Sequence, residues 1–298
     1  MAYTAYVLGR HVVPLEPPYG GRDYVFAAAR LDGESVQSAA FQHCTFANIS
    51  FKEATLNELR FENCVFIGCY FRRTNLTNTS FAGCRFVDCA FPRVAISGCE
   101  FRYSSFVGCF ISFSEMQLSL PKEPNLRQDV ARNLAIESAK LGYPDDARLY
   151  RMCAITAREQ DLKLAMTGAT EWYRQHYDVI RRIGAFFSLA GSVLNRWFWG
   201  YGENAWVLIR NYFILAMFIF PVVYYLLRDQ LRATLPSNIK LVDVFLFSLE
   251  NILSPGIHSG VFPNSIATRI CAGTESLLGV VIAGLFISYL FAWVSEKR

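Results

Sequence analysis

Ser248, Glu250, Ser254, Pro255, Gly256, Ile257 and His258 fall within eleven residues, SLENILSPGIH, inside the most apolar third of the chain. What such a group can do depends on its surroundings. Ionisable side chains among long apolar runs are expensive unless they work. Val242 to Leu253 is long enough for a three-turn helix and too short to cross a bilayer, and a glycine-bearing turn follows it. A short helix that dips in, a turn and an exit at about residue 260 form the layout of a re-entrant pore loop. There, non-helical backbone can aim carbonyl dipoles at an ion and replace its water. The chemistry in reach is ion coordination. Glu250 either positions the loop or takes part in the ion path, and His258 is either a rim residue or a ligand.

Other groupings offer less. Cys64 with Cys69, and Cys84 with Cys89, look like metal or disulfide pairs, yet their spacing is that of a repeat described below, where buried Cys serves as a small apolar filler. Nine Cys without a secretory leader are expected in a reducing compartment. His11, His43, His176 and His258 are scattered, and there is no nucleophile with base and orienter, no phosphate loop and no metal spacing. Neither catalysis nor a cofactor nor a metal centre is expected.

The elements that must hold the loop are two apolar runs. The 298 residues are 53% hydrophobic and 18% charged, too apolar for an ordinary soluble chain, and the surplus collects after Trp206. Trp206 to Leu227 would span about 33 Å as a helix, with Arg210 snorkelling near its start and Tyr224 and Tyr225 as interface aromatics at its end. Ile270 to Val294 is a second span, carrying Glu275, Gly279 and Gly284. Glu275 sits near the outer end, where a solvated reading is open to it, and the glycines are hinges or points of close helix packing. Arg181, Arg182 and Arg196 just before the first span, with Arg210 near its start, stand against Arg228, Arg232, Lys240 and Arg269 beyond it. The positive-inside rule then places both termini in the cytoplasm of a multi-pass protein. The net charge of +4 carries no basic stripe with interleaved aromatics, so nucleic acid is not an expected partner.

After an N-terminal segment, residues 1–25, the chain repeats every five residues: FQHCT FANIS FKEAT LNELR FENCV FIGCY FRRTN, and on to FVGCF. A period of five suits neither helix nor simple strand; it suits a coil in which each block forms one side. Twenty residues per turn would stack Phe41, Phe61, Phe81 and Phe101, then Phe46, Phe66, Phe86 and Phe106, then Phe51, Phe71 and Phe91, then Leu56, Leu76 and Ile96. Small residues two before each large one, among them Cys44, Cys64, Cys84, Cys69, Cys89 and Cys109, fill the rest. Residues 26–115 thereby resemble the pentapeptide-repeat family, which implies a right-handed quadrilateral β-helix. Some of that family resemble DNA in shape and charge and bind gyrase, but eight basic and eight acidic residues leave this coil neutral, which points to a structural or docking module.

Residues 116–180 read as a helical hairpin linker, similar to one tetratricopeptide hairpin, with a stop at Gly142 and a new start at Pro144; it is expected to pack beside the coil. Residues 181–203 read as an interfacial amphipathic helix, with a buried helix as the alternative. The turn WGYGEN resembles the linker before the first span in bacterial proteins that join pentapeptide repeats to a channel module.

Within residues 204–298, SLENILSPGIHS resembles the pore-helix and filter signature of two-transmembrane potassium channels, roughly S-x-E-T-x-T-T-V-G-Y-G-D. Ser248 and Glu250 match the pore helix, Ser254 a filter Thr and Gly256 the first filter Gly, while Glu275, Gly279 and Gly284 fall on the inner helix. Pro255, Ile257 and His258 depart from the motif, so potassium selectivity does not carry over. The resemblance implies a homotetrameric channel for monovalent cations in the bacterial inner membrane, with lipid, further copies of itself and an unknown cytoplasmic partner or ligand of the coil as its contacts. The alternative is a membrane-anchored scaffold that docks a partner and conducts nothing.

Overall fold

If four five-residue blocks close one turn, each large apolar residue must meet its equivalent twenty positions on. The computed structural model, which describes residues 12–202, 205–233, 239–253 and 260–296, has that register at every pairing of the coil. Phe26, Phe46, Phe66, Phe86 and Phe106 line one parallel sheet. Val36, Leu56, Leu76 and Ile96 line a second, Phe41 and Phe61 a third, and bridges through Ser50, Tyr70 and Ala90 hold the fourth wall. The result is a β-solenoid of about four turns. Ring centroids within the ladders are 4.8 to 5.2 Å apart, close to the strand spacing that sets them. Rings on adjacent walls meet edge to face, as Phe41 and Phe46 do at 80°.

The small inward residues do more than fill space. The side chains of Cys64, Cys69, Cys84, Cys89, Thr74 and Ser104 each donate to a carbonyl 23 residues back, at distances from 2.7 Å (Thr74 to Phe51 O) to 3.5 Å (Cys64 to Phe41 O). Cys, Thr and Ser can replace one another there because each is small and carries one donor. All nine cysteines are free. Burial pushes the Cys89 and Cys99 thiols above their ordinary value, which keeps them protonated and poor as nucleophiles or ligands.

A second period of five escaped the sequence reading. Every fifth residue from Asp23 to Gly108 takes positive φ and turns a corner of the coil. Asn, Asp and Gly recur there because they tolerate the left-handed region. A Cβ on Gly68 would lie 2.5 Å from Asn48 Oδ1, one turn below, and Gly83, Gly98 and Gly108 face Asn63, Asn78 and Asp88 in the same way. The lower side chain occupies the space an upper one would need.

The helices Pro124–Lys140 and Pro144–Thr167 were expected beside the coil; instead they seal its open end. The reason is hydrogen bonding. Within the coil, Asn48, Gly68 and Asp88 N–H each donate to a carbonyl 19 residues on, and Gly108 has no further turn to meet. Its N–H donates to Glu137 Oε2 at 2.8 Å, Asn133 pairs with both the N–H and the carbonyl of Phe106, and Tyr150 Oη donates to Ile111 O. Val130, Leu134 and Tyr150 extend the coil's own core. Burial works against ionised Glu137, but Lys140 and the Gly108 N–H outweigh it and hold the carboxyl below its ordinary range. Its stabilisation should therefore be complete above about pH 4.3, the unfolded value, and decline as pH falls through the lower folded one. The expected readout is a melting difference between wild type and Glu137→Gln that is present at neutral pH and shrinks in acid. A difference independent of pH would show that the carboxylate charge plays no part in the cap.

The chain divides after Leu189 into two compact units. The second contains the end of a helix, Val179–Trp199, then a turn in which Gly200, Tyr201 and Gly202 all have positive φ. An apolar helical stretch, Ala205–Leu226, follows, then a shorter helix, Leu241–Leu253, and a 31-residue helix, Ile266–Glu296. Two of these, over Trp206–Leu226 and Ile266–Phe291, are long and apolar enough to cross a membrane.

Candidate functional site

The expected first span is not one regular helix. Leu215–Ile219 is a π-helical turn, and Phe220 N–H reaches back to Leu215 O. Pro221 accounts for it: proline has no N–H, and its ring would crowd the carbonyl four residues earlier, so the ladder widens just before it. The start of this segment also differs from a simple snorkelling arginine. Arg210 and Asn211 bond the Trp197 carbonyl, and Asn211 Nδ2 also donates to Phe198 O at 2.8 Å, so together they cap the C-terminus of the preceding helix. That helix leaves Ile180, Phe187, Leu194 and Trp197 exposed, which does not suit the buried-helix alternative.

The helix that holds the expected second span begins at Ile266, four residues before the apolar run suggests. Ser265 and Thr268 form a reciprocal cap, each hydroxyl accepting the other's N–H at 3.1 Å. Just before it, Val261–Pro263 pairs antiparallel with Leu231–Ala233, a ribbon that alternation over three residues was too short to reveal. The ribbon ties the chain leaving the first long apolar segment to the chain entering the second.

Between them, the Leu241–Leu253 helix starts where Asp243 accepts the Lys240 N–H at 2.7 Å. It buries Val244, Phe247, Ser248, Asn251 and Ile252, a face repeating at three and four residues. Phe247 meets Tyr224 edge to face at 4.9 Å. Gly279 permits the close approach of the Ile266–Glu296 helix, since a Cβ there would lie 2.6 Å from Ile252 O. Gly284 has open space around it.

The polar centre of this unit is Glu275, which is fully buried rather than solvated. Its Oε2 accepts from Tyr224 Oη at 2.7 Å and Asn251 Nδ2 at 2.8 Å, and its Oε1 meets Ser248 Oγ. Asn251 also donates to Ala272 O at 2.9 Å, and Ser276 donates to Asn251 Oδ1 at 3.0 Å. Both long apolar segments and the short helix thus converge on one carboxyl group. Sequence reasoning named Ser248 and Glu275 separately and took Tyr224 for an interface aromatic; Asn251 it missed. The available signal was Ser248 and Asn251 three residues apart on the same face as Phe247. Glu250, one position off that face, is half-buried. Ser254, Pro255, Gly256, Ile257 and His258 lie outside the described residues.

Residues 39–116 match a family model described as the pentapeptide repeat region. Among solved structures, similarity is found to trypsin-treated QnrB1, a plasmid-mediated fluoroquinolone resistance protein, at 12% identity over 32% of this chain and 56% of that one, with a TM-score of 0.17. HetL, a pentapeptide repeat protein involved in heterocyst differentiation regulation from the cyanobacterium Nostoc sp. strain PCC 7120, is 12% identical over 37% of this chain and 48% of its own, with a TM-score of 0.19. The chain spans about half the length of these structures. No curated protein matches it.

Proposed function

We propose that the second unit is a pore-loop membrane module, four copies of which surround one axis and pass monovalent cations, with the pentapeptide-repeat coil as its cytoplasmic assembly or docking domain. The observation that carries this reading is the Leu241–Leu253 helix, a 13-residue apolar segment that cannot span, buried between two helices that can. A plain anchor needs no such element. Exposed Phe218, Val222, Leu277, Val280 and Ile287 on the long helices suit contact with lipid or with neighbouring copies. A loop of this kind lines a pore only when copies enclose it, so four-fold assembly is part of the reading. The protein then works without chemistry on a substrate.

The second reading is a membrane-anchored scaffold, favoured by the neutral coil, which is the part matched by a family model. One experiment separates the two. Full-length protein in nanodiscs should give particles of four-fold symmetry with the second span nearest the axis, and planar bilayers with sodium and potassium at unequal concentrations should carry cation currents. Monomers or two-fold dimers that carry no current would remove the channel and leave the scaffold.

A further inference from the structure

Counting hydrogens around Glu275 leads to a statement about its chemical form. Tyr224 Oη has one hydrogen and gives it to Glu275 Oε2; Asn251 Nδ2 has two, directed to Glu275 Oε2 and Ala272 O; Ser276 supplies Asn251 Oδ1. The one Ser276 hydrogen faces Asn251 Oδ1 and, at 3.3 Å, Asn251 O, neither of them an atom of Glu275. Ser248 is where the count bears on the carboxyl group. Its hydroxyl carries one hydrogen but faces two acceptor positions, Glu275 Oε1 and Ala216 O, the latter at 3.2 Å. The Ala216 carbonyl needs that hydrogen, because Phe220 N–H is directed to Leu215 O and the next residue in the same register, Pro221, has no N–H. If the Ser248 hydrogen went to an ionised Glu275, a buried carbonyl would be left without a partner, and among the described residues no lysine or arginine pairs with the carboxyl to offset its charge.

We propose that Glu275 is a positioning residue that works as a neutral carboxylic acid, donating its proton to Ser248 Oγ, accepting from Tyr224 and Asn251, and so locking the short helix between the two spans. Ser248 passes the donation on to the carbonyl that Pro221 leaves open. The chain of bonds runs from acid to hydroxyl to carbonyl, and every hydrogen has one acceptor. This inference goes beyond conduction, because the lock is the same in a channel and in an anchored scaffold.

Glutamine is the decisive substitute, since its amide places a donor nitrogen, with two hydrogens, opposite Ser248 and an acceptor oxygen opposite Tyr224 and Asn251 in nearly the same volume. Full-length wild type, Glu275→Gln and Glu275→Ala are melted in the same detergent, and infrared spectra of wild type and Glu275→Gln are compared in the carboxylic-acid carbonyl region. Glu275→Gln should melt within about 2 °C of wild type, whereas Glu275→Ala, which strands the Tyr224 and Asn251 donors and removes the donor to Ser248, should melt lower by roughly 5 °C or more. The wild-type spectrum should contain an acid carbonyl band that Glu275→Gln lacks. Overturning results are a Gln variant as damaged as the Ala variant, or spectra with no such difference. If Glu275→Ala does not fold, the Gln melting point and the infrared band still decide the matter. None of these readouts needs a current, so an inactive protein with an intact lock would count against the channel alone.

Discussion

Phe81→Asp is expected to unfold the coil. Phe81 is 1% exposed, with the rings of Phe61 and Phe101 stacked at 5.1 and 5.0 Å on either side. An aspartate there would remove the ring from both stacks and place an unpaired carboxylate among phenylalanines, a loss of more than about 4 kcal/mol. Each turn of a solenoid is stabilised by its neighbours, so damage in the middle turn weakens the coupling above and below. Arg72→Asp is the control. Arg72 is exposed on an outward position, and its replacement should change stability by no more than about 0.5 kcal/mol. Thermal melting followed by circular dichroism, with hydrogen exchange of the coil amides, measures both. Equal melting points for Phe81→Asp and wild type would show that residues twenty apart do not form the ladder.

Gly279→Val is expected to separate the short helix from the second span, while Gly284→Val leaves both in place. The added carbon at residue 279 would lie 2.6 Å from the Ile252 carbonyl oxygen and 2.9 Å from its side chain. Backbone cannot swing aside as a side chain can, so the short helix must move. That movement pulls Asn251 from Ala272 and Ser276 from Asn251, at a cost of about 3 kcal/mol or more. At Gly284 nothing lies within 4 Å of the same position, so valine has room. Melting of the two variants in detergent tests the difference. If both melt together with wild type, the close packing at residue 279 is wrong; if both fall, the helix as a whole resists β-branched residues there and packing against Ile252 is not the cause.

The repeat was legible in the sequence because its physics is periodic and local. Phe26, Phe46, Phe66, Phe86 and Phe106 occupy equivalent places in successive turns, so the spacing of like residues is also the register of the strands. Two apolar runs long enough to span, with a shorter one between them, were legible for a similar reason: length and hydropathy are properties of a segment by itself. The ends of elements were less so. The Ser265–Thr268 cap sets the start of the second long helix outside its apolar run, and Pro221 breaks the first into a π-helical turn that composition conceals.

The meetings of residues distant in sequence are set by the folded chain alone. The hairpin became an end cap because Gly108 and Phe106 lacked a next turn, and Glu137, 29 positions from Gly108, and Asn133, 27 positions from Phe106, carry acceptors at the right height. Glu275 lies 51 residues from Tyr224 and 27 from Ser248, so no local pattern separates a solvated glutamate from one that three polar side chains surround. Gly279 and Gly284 look alike on one helix; the position of Ile252 makes one indispensable and the other free. Sequence by itself determined which segments coil and which are long and apolar enough to cross a membrane, since those depend on period and length. The partners of each buried polar group depend on where separate elements cross, and that is fixed only when the chain is folded.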